Sequence, residues 1–237
     1  MPVRPATFSD LLPAAHAAAR AFFDEPLFGP IIHPHRHTYP GDVYLFFLRY
    51  FRQTYFSATN CIIVSHPPSA PATVTGVALW TRKGSGATAL ERDQGWWIWL
   101  CGRAMAALNR VHEWAYPNRA VDPSKAGILD RAYPFIAHYW QEPVARSESW
   151  YLELCATDPR GGQGMGYGRD LVAWGVAKAR AEGICASLIA AAGKEGFYRK
   201  CGFVHIGGWA GEGEGNPIKD VAGGAIMFAD VPVVEEK

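Results

Sequence analysis

The chain has 237 residues, of which 49% are apolar and 19% charged, and its formal net charge is +1. That much apolar mass builds a core and excludes a disordered chain. The near-neutral balance excludes an electrostatic nucleic-acid binder and gives no reason to expect a basic protein partner. No linker divides the sequence, so residues 1–237 read as one domain. The N-terminal MPVRPATFSD lacks the apolar core of a signal peptide and the pattern of a transit peptide, and no run approaches the roughly 18 apolar residues that span a bilayer. The five cysteines, at 61, 101, 155, 185 and 201, are odd in number with no CxxC pair. They read as free thiols in a reducing, cytoplasmic compartment, with no membrane association.

In chain order, Val3 to Ala6 predicts a short strand, and Ser9 or Asp10 caps a helix that runs to Phe23. The prolines at 26, 30, 34 and 40 mark a loop from Asp24 to Pro40. Tyr44, Phe47, Leu48 and Phe51 stand at helical spacing within a second helix, Asp42 to Tyr55. Cys61 to Ser65 and Val74 to Thr81 read as strands of a hairpin whose loop is the Pro/Ser-rich segment between them. Gly84 to Ser149 reads as two or three aromatic-rich helices inserted between strands, their tryptophans and tyrosines packed in the core or lining an acceptor pocket. Trp150 to Thr157 is extended. Gly166 to Gly183 is a helix whose inward face carries Val172, Gly175, Val176 and Ala179. A strand at Ala186 to Ala190, a helical turn at Glu195 to Lys200, a strand at Phe203 to Ile206, a Gly/Glu loop at 211–215 and a last strand at Ala225 to Ala229 complete an α+β order.

The run Gln163-Gly164-Met165-Gly166-Tyr167-Gly168-Arg169 carries the chemistry. It follows a strand and opens a helix, where unpaired backbone N–H groups and the positive end of the helix dipole meet an anion. No Lys-Ser/Thr pair follows, which excludes a Walker A loop, and GxGxxG lacks its third glycine from any starting point. The pattern that fits is Q-x-x-G-x-G, filled by Gln163, Gly166 and Gly168. This resembles the pyrophosphate loop of the GNAT superfamily of acyl-CoA N-acyltransferases. The preceding Tyr151 to Pro159 resembles that family's fourth strand. Downstream, Phe197-Tyr198-Arg199-Lys200-Cys201-Gly202-Phe203 resembles its second signature. The two signatures span about 60 residues, with a helix and a strand between them. Two features depart from the family: Pro159 to Gln163 is one residue longer than usual, and Ala191 stands where an asparagine often precedes the tyrosine.

The resemblance implies a mixed, mostly antiparallel sheet with helices on both faces, plus the helical insert at about 84–149 before the fourth strand. It implies acetyl-CoA as co-substrate, lying where the fourth and fifth strands splay apart. The thioester then pairs with backbone near Cys155, Ala156 and Thr157, and the pyrophosphate lies on the loop from Gln163 to Arg169. The activity implied is direct acetyl transfer to the amine of a small molecule, with specificity expected from the insert. A protein or peptide acetyltransferase and a non-catalytic acyl-CoA-binding module are the alternatives. Glu153 is the candidate base, on a face that strand alternation would share among residues 151, 153, 155 and 157. Tyr198 is the candidate acid for the leaving thiolate. His33, His35 and His37 lack a completing ligand, so no metal is expected. Their loop, with Tyr39 and Asp42, is expected to border the acceptor site. Cys155 is expected to be a buried strand cysteine, not a nucleophile.

Overall fold

The computed structural model describes residues 2–230; the ends of the expected 1–237 domain lie outside them. Its strands are β1 (Val3–Pro5), β2 (Asn60–Ser65), β3 (Gly76–Lys83), β4 (Ser149–Thr157), β5 (Cys185–Ala191), β6 (His205–Trp209) and β7 (Gly223–Ala229). Its α-helices are α1 (Leu11–Ala21), α2 (Val43–Tyr55), α3 (Ser85–Asp93), α4 (Trp96–Ala115), α5 (Ile128–Ile136), α6 (Tyr167–Ala181) and α7 (Glu195–Lys200). The strands make one sheet in the order β1-β2-β3-β4-β5-β7-β6. Only β4 and β5 run parallel; every other neighbouring pair is antiparallel. The parallel pair is joined through α6, as a parallel connection requires a crossover.

The two faces of the sheet bury different cores. On one face α1 and α2 pack Ala14, Ala18, Phe47 and Phe51 against Val64, Val77, Leu79 and Leu154. On the other, Leu171, Val172, Val176 and Ala179 of α6 cover Ile63, Ala78, Trp80 and Leu188. Gly175 has a specific cause: the Trp80 ring lies where its Cβ would be, with ring atoms 2.1 to 2.4 Å away. Trp80 Nε1 donates to the Leu171 carbonyl at 3.2 Å. The inward face expected for this helix is thus the face it buries.

Three expectations need correction. Residues 24–40 are not all loop: a single π-helical segment, Leu27–Ile32, ends at His33, whose Nδ1 bonds the Phe28 carbonyl at 2.6 Å. The strand expected at Phe203 to Ile206 begins at His205, because Phe203 is drawn into the core beside α6. The aromatic insert divides in two. Ile128, Ala132, Ile136 and Trp140 are buried against β5 and β7, as core packing requires. Trp96, Trp97, Trp99 and Trp114 are exposed, so core packing fails for them.

Candidate active site

β4 and β5 pair at Ser149–Cys185, Trp150–Ala186, Tyr151–Ser187 and Leu152–Leu188, and there the ladder stops. Beyond it β4 keeps its bonds to β3 alone and β5 its bonds to β7 alone. The β5-facing edge of β4 from Glu153 to Thr157 therefore has no strand partner, and a cleft of about 1120 Å3 opens along it. At its far end Gly164 (φ +78°) and Gly166 (φ +84°) hold the left-handed backbone that glycine adopts without cost. Gly166 is the residue before the first turn of α6. Among the described residues, no backbone or side-chain acceptor pairs with the N–H groups of Gln163 to Gly166. Asp158 sets this turn: its carbonyl accepts from Gly162 N–H at 2.7 Å, its carboxylate from Arg160 N–H at 3.0 Å, and Arg20 of α1 binds the same carboxylate at 2.5 and 3.0 Å. Burial works to raise the Asp158 pKa, but the Arg20 hydrogen bond and charge leave it below the ordinary carboxylate range. The one-residue-longer turn fits because Gly162 approaches the Thr75 carbonyl, 2.4 Å from where a Cβ would stand.

The strand face argued from alternation is wrong beyond Glu153. Leu79 pairs with Leu154 and Trp80 with Leu152, so Glu153 is the extra residue of a β-bulge. A bulge shifts the alternation by one. Cys155 consequently packs with the α6-side core, whereas Glu153 turns toward α2. There the Tyr50 hydroxyl donates to Glu153 Oε2, and Lys83 Nζ lies 3.7 Å from Oε1. Burial and the neighbouring carboxylate both hold the Tyr50 hydroxyl protonated. Tyr198 of α7 lines the opposite wall beside Cys155 and Cys201, and burial raises its pKa well above that of a free tyrosine. Burial, then the Cys201 sulfur, pushes the Cys155 thiol up to about 12, so it is a neutral thiol at pH 7.

The sequence matches no family model and no curated protein significantly. Solved structures do share its architecture. One described as a histone acetyltransferase HPA2 and related acetyltransferase from Corynebacterium glutamicum superposes with a TM-score of 0.60 at 18% identity, over 99% of this chain and 98% of that one. The chain has the GNAT fold. Weaker likenesses are a Thermoplasma acidophilum PaiA N-acetyltransferase in complex with coenzyme A (TM-score 0.48, 11% identity, covering 96% of this chain and 97% of that one) and a Brucella melitensis GNAT family acetyltransferase in complex with acetyl-CoA (0.41, 14%, 86% and 82%).

Within the GNAT fold, the cleft gathers Glu153, Cys155, Ala156, Thr157, Gln163, Gly164, Gly166, Gly168, Arg169 and Tyr198. Two residues singled out in the loop do not line it: Tyr167 is buried beneath the loop and Met165 is exposed. The histidine loop does not border it either. His33 is fully buried against Phe46 and Phe47, and the segment on the cleft is Asp24 to Phe28. The insert contributes only Leu129 to the lining; Ala210, Gly211, Ile218 and Val221 from the β6–β7 connection contribute more. Glu25 is a carboxylate that the sequence did not single out. Its Oε2 accepts from Leu27 and Phe28 N–H at 2.9 and 2.8 Å, yet burial outweighs those bonds and raises its pKa. The Pro26 beside it disguised the position as loop. Tyr50 and Lys83 carry no local signal, since Tyr50 reaches Glu153 from α2 and Lys83 from the neighbouring strand β3. No group of three or more metal-ligating side chains occurs among the described residues.

Proposed function

We propose that this protein is an acetyl-CoA-dependent N-acetyltransferase that acts on a small-molecule amine. The observation that carries this reading is the continuity of one cleft: it runs from the glycine turn at the α6 N-terminus, along the unpaired edge of β4, to Glu153. The pyrophosphate would lie on the free amides between Gln163 and Gly168, where the helix dipole and close backbone approach favour an anion. The pantetheine arm would extend β4 as a strand would, and bring the thioester beside Cys155 to Thr157. The amine nitrogen then attacks the thioester carbon, its proton passes to Glu153 directly or through water, and the C–S bond breaks. Tyr198 supplies a proton or hydrogen bond to the departing thiolate; its burial keeps it the donor. The protonated Cys155 thiol favours direct attack over an acyl-enzyme. At the acceptor end, Glu153 and Glu25 lie among Phe28, Leu129 and Ile218, a setting that suits an amine carried on an apolar group.

Coenzyme A tests this reading first. At about 100 times its Kd, a ligand bound only by the folded state adds roughly 2.7 kcal/mol, so the Tm should rise by about 5–10 °C. Gly166→Asp should fold, because no atom lies within 4 Å of the new Cβ and Asp tolerates the left-handed region better than most residues. Its carboxylate would oppose the phosphates and abolish the shift. A wild-type Tm that stays put with every acyl-CoA refutes the assignment. Tyr198→Phe should lower kcat by about 10- to 10³-fold while leaving the coenzyme A shift unchanged, because its bond to sulfur strengthens only as charge develops. An unchanged kcat, in an assay limited by chemistry, removes Tyr198 from the reaction.

A further inference from the structure

Helix α4 turns its polar side inward. It meets α2 through Gly102, Asn109 and His112: the Asn109 amide donates to the Arg49 carbonyl at 2.9 Å, and the Arg49 guanidinium donates to the Tyr116 carbonyl at 2.5 Å. Arg49 Nε, Asn109 Oδ1 and His112 Nδ1 are buried there without a partner among the described residues. The apolar side chains point the other way. Trp96, Trp97, Trp99 and Trp114 are 73%, 61%, 61% and 86% exposed, and no residue of the helix is buried. Apolar surface of this extent on a folded chain marks a face that something covers.

The order of the exposed residues says what covers it. Trp97, Leu100, Ala104, Ala107, Val111 and Trp114 alternate in steps of three and four, the a/d seam of two packed helices. Large residues stand at both ends and alanines in the middle. The series is symmetric about the point between Met105 and Ala106, which is also the midpoint of the helix. Reversed by a two-fold axis through that point, Trp97 faces Trp114, Leu100 faces Val111, and Ala104 faces Ala107 of a second copy. A two-fold interface brings the same patch against itself, residue i meeting residue j and j meeting i, and this mirrored order satisfies that. A tryptophan buries about 150–250 Å2. At these exposures the two seam tryptophans hold on the order of 300 Å2 per copy; Leu100 and Val111, 42% and 62% exposed, add to it, and the two copies together approach the roughly 1,000 Å2 of a specific interface. We propose that α4 is the seam of a two-fold, antiparallel dimer of this chain. No residue of α4 lines the cleft, so the dimer leaves the acetyl-transfer site open and the proposal stands apart from that reading.

Sedimentation equilibrium at micromolar concentration should give twice the 26.0 kDa chain mass. Ala104→Arg and Ala107→Glu, each placing an unpaired charge at the crossing, should each weaken the dimer by on the order of 100-fold. Circular dichroism reports whether each variant folds. The double variant Ala104→Arg/Ala107→Glu sets each arginine opposite the other copy's glutamate and should restore the dimer. In a parallel pair each new charge would face its like, so failure of the double variant to recover overturns the antiparallel seam. A wild-type chain that sediments as a single copy overturns the proposal. So does a dimer that survives both single substitutions. If the single copy instead co-sediments with phosphatidylcholine/phosphatidylglycerol vesicles, the face belongs to a lipid surface and the proposal falls.

Discussion

Glu153→Gln should lower kcat/KM for an alkylamine by about 10²-fold or more, the range for loss of a general base, while the coenzyme A melting shift stays at its wild-type value. The substitution keeps shape and volume. The Tyr50 hydroxyl can donate to the glutamine carbonyl as it does to the carboxylate, so the anchor from α2 survives. Lys83 loses an ion partner at 3.7 Å; its side chain is 43% exposed, and the contact is worth little there. What disappears is a group that accepts a proton. An alkylamine is protonated at neutral pH, and only its neutral form attacks a thioester. The deficit should therefore shrink as pH rises toward the amine's own pKa, and should be smaller at every pH for an arylamine, which is neutral already. Paired pH–rate profiles on both acceptor types read this directly. A variant that matches wild type on the alkylamine across the range places the base elsewhere, and Glu25 is the next carboxylate on the cleft.

Gly175→Ala should destabilise the fold by about 2 kcal/mol or more, although alanine in a helix normally gains about 1 kcal/mol over glycine. The added methyl would stand 2.1 to 2.4 Å from atoms of the Trp80 ring. Trp80 cannot yield: it is fully buried and its indole N–H is committed to the Leu171 carbonyl. Overpacking against so rigid a neighbour outweighs the propensity gain, and the Tm should fall by about 4–8 °C. Trp80→Phe in the same chain removes part of the ring and should recover a share of the loss, because the two positions touch and their effects do not add. Equal melting of Gly175→Ala and wild type would mean that α6 does not seat on Trp80 as described.

Most of the fold was legible because its signals are local. Helical spacing marked α2 and α6, and the glycine run after an extended segment marked a strand, a turn and a helix N-terminus. Backbone angles at Gly164 and Gly166 bear out that turn. The amphipathic rule also named Val172, Gly175, Val176 and Ala179, all of which are buried, but missed Tyr167 and Leu171. Local signals failed where pairing across the sheet decides. The bulge at Glu153 depends on how β3 registers with β4, and it reverses the alternation that assigned Glu153 and Cys155 to one face.

The sequence by itself determined the glycine turn, the acidic residue two positions before Cys155 and the tyrosine of the second signature, because each is a choice of residue type at a fixed spacing. Tertiary structure decided which groups surround them. Tyr50 lies 103 residues from Glu153 along the chain, and Arg20 lies 138 from Asp158. It decided as well that Asp24 to Phe28 and the β6–β7 connection wall the cleft in place of the histidine loop and most of the insert. It split one aromatic segment between a core and an exposed helix face. Residue type says that a side chain is apolar; only the packing of the other elements says whether a surface remains for it to cover.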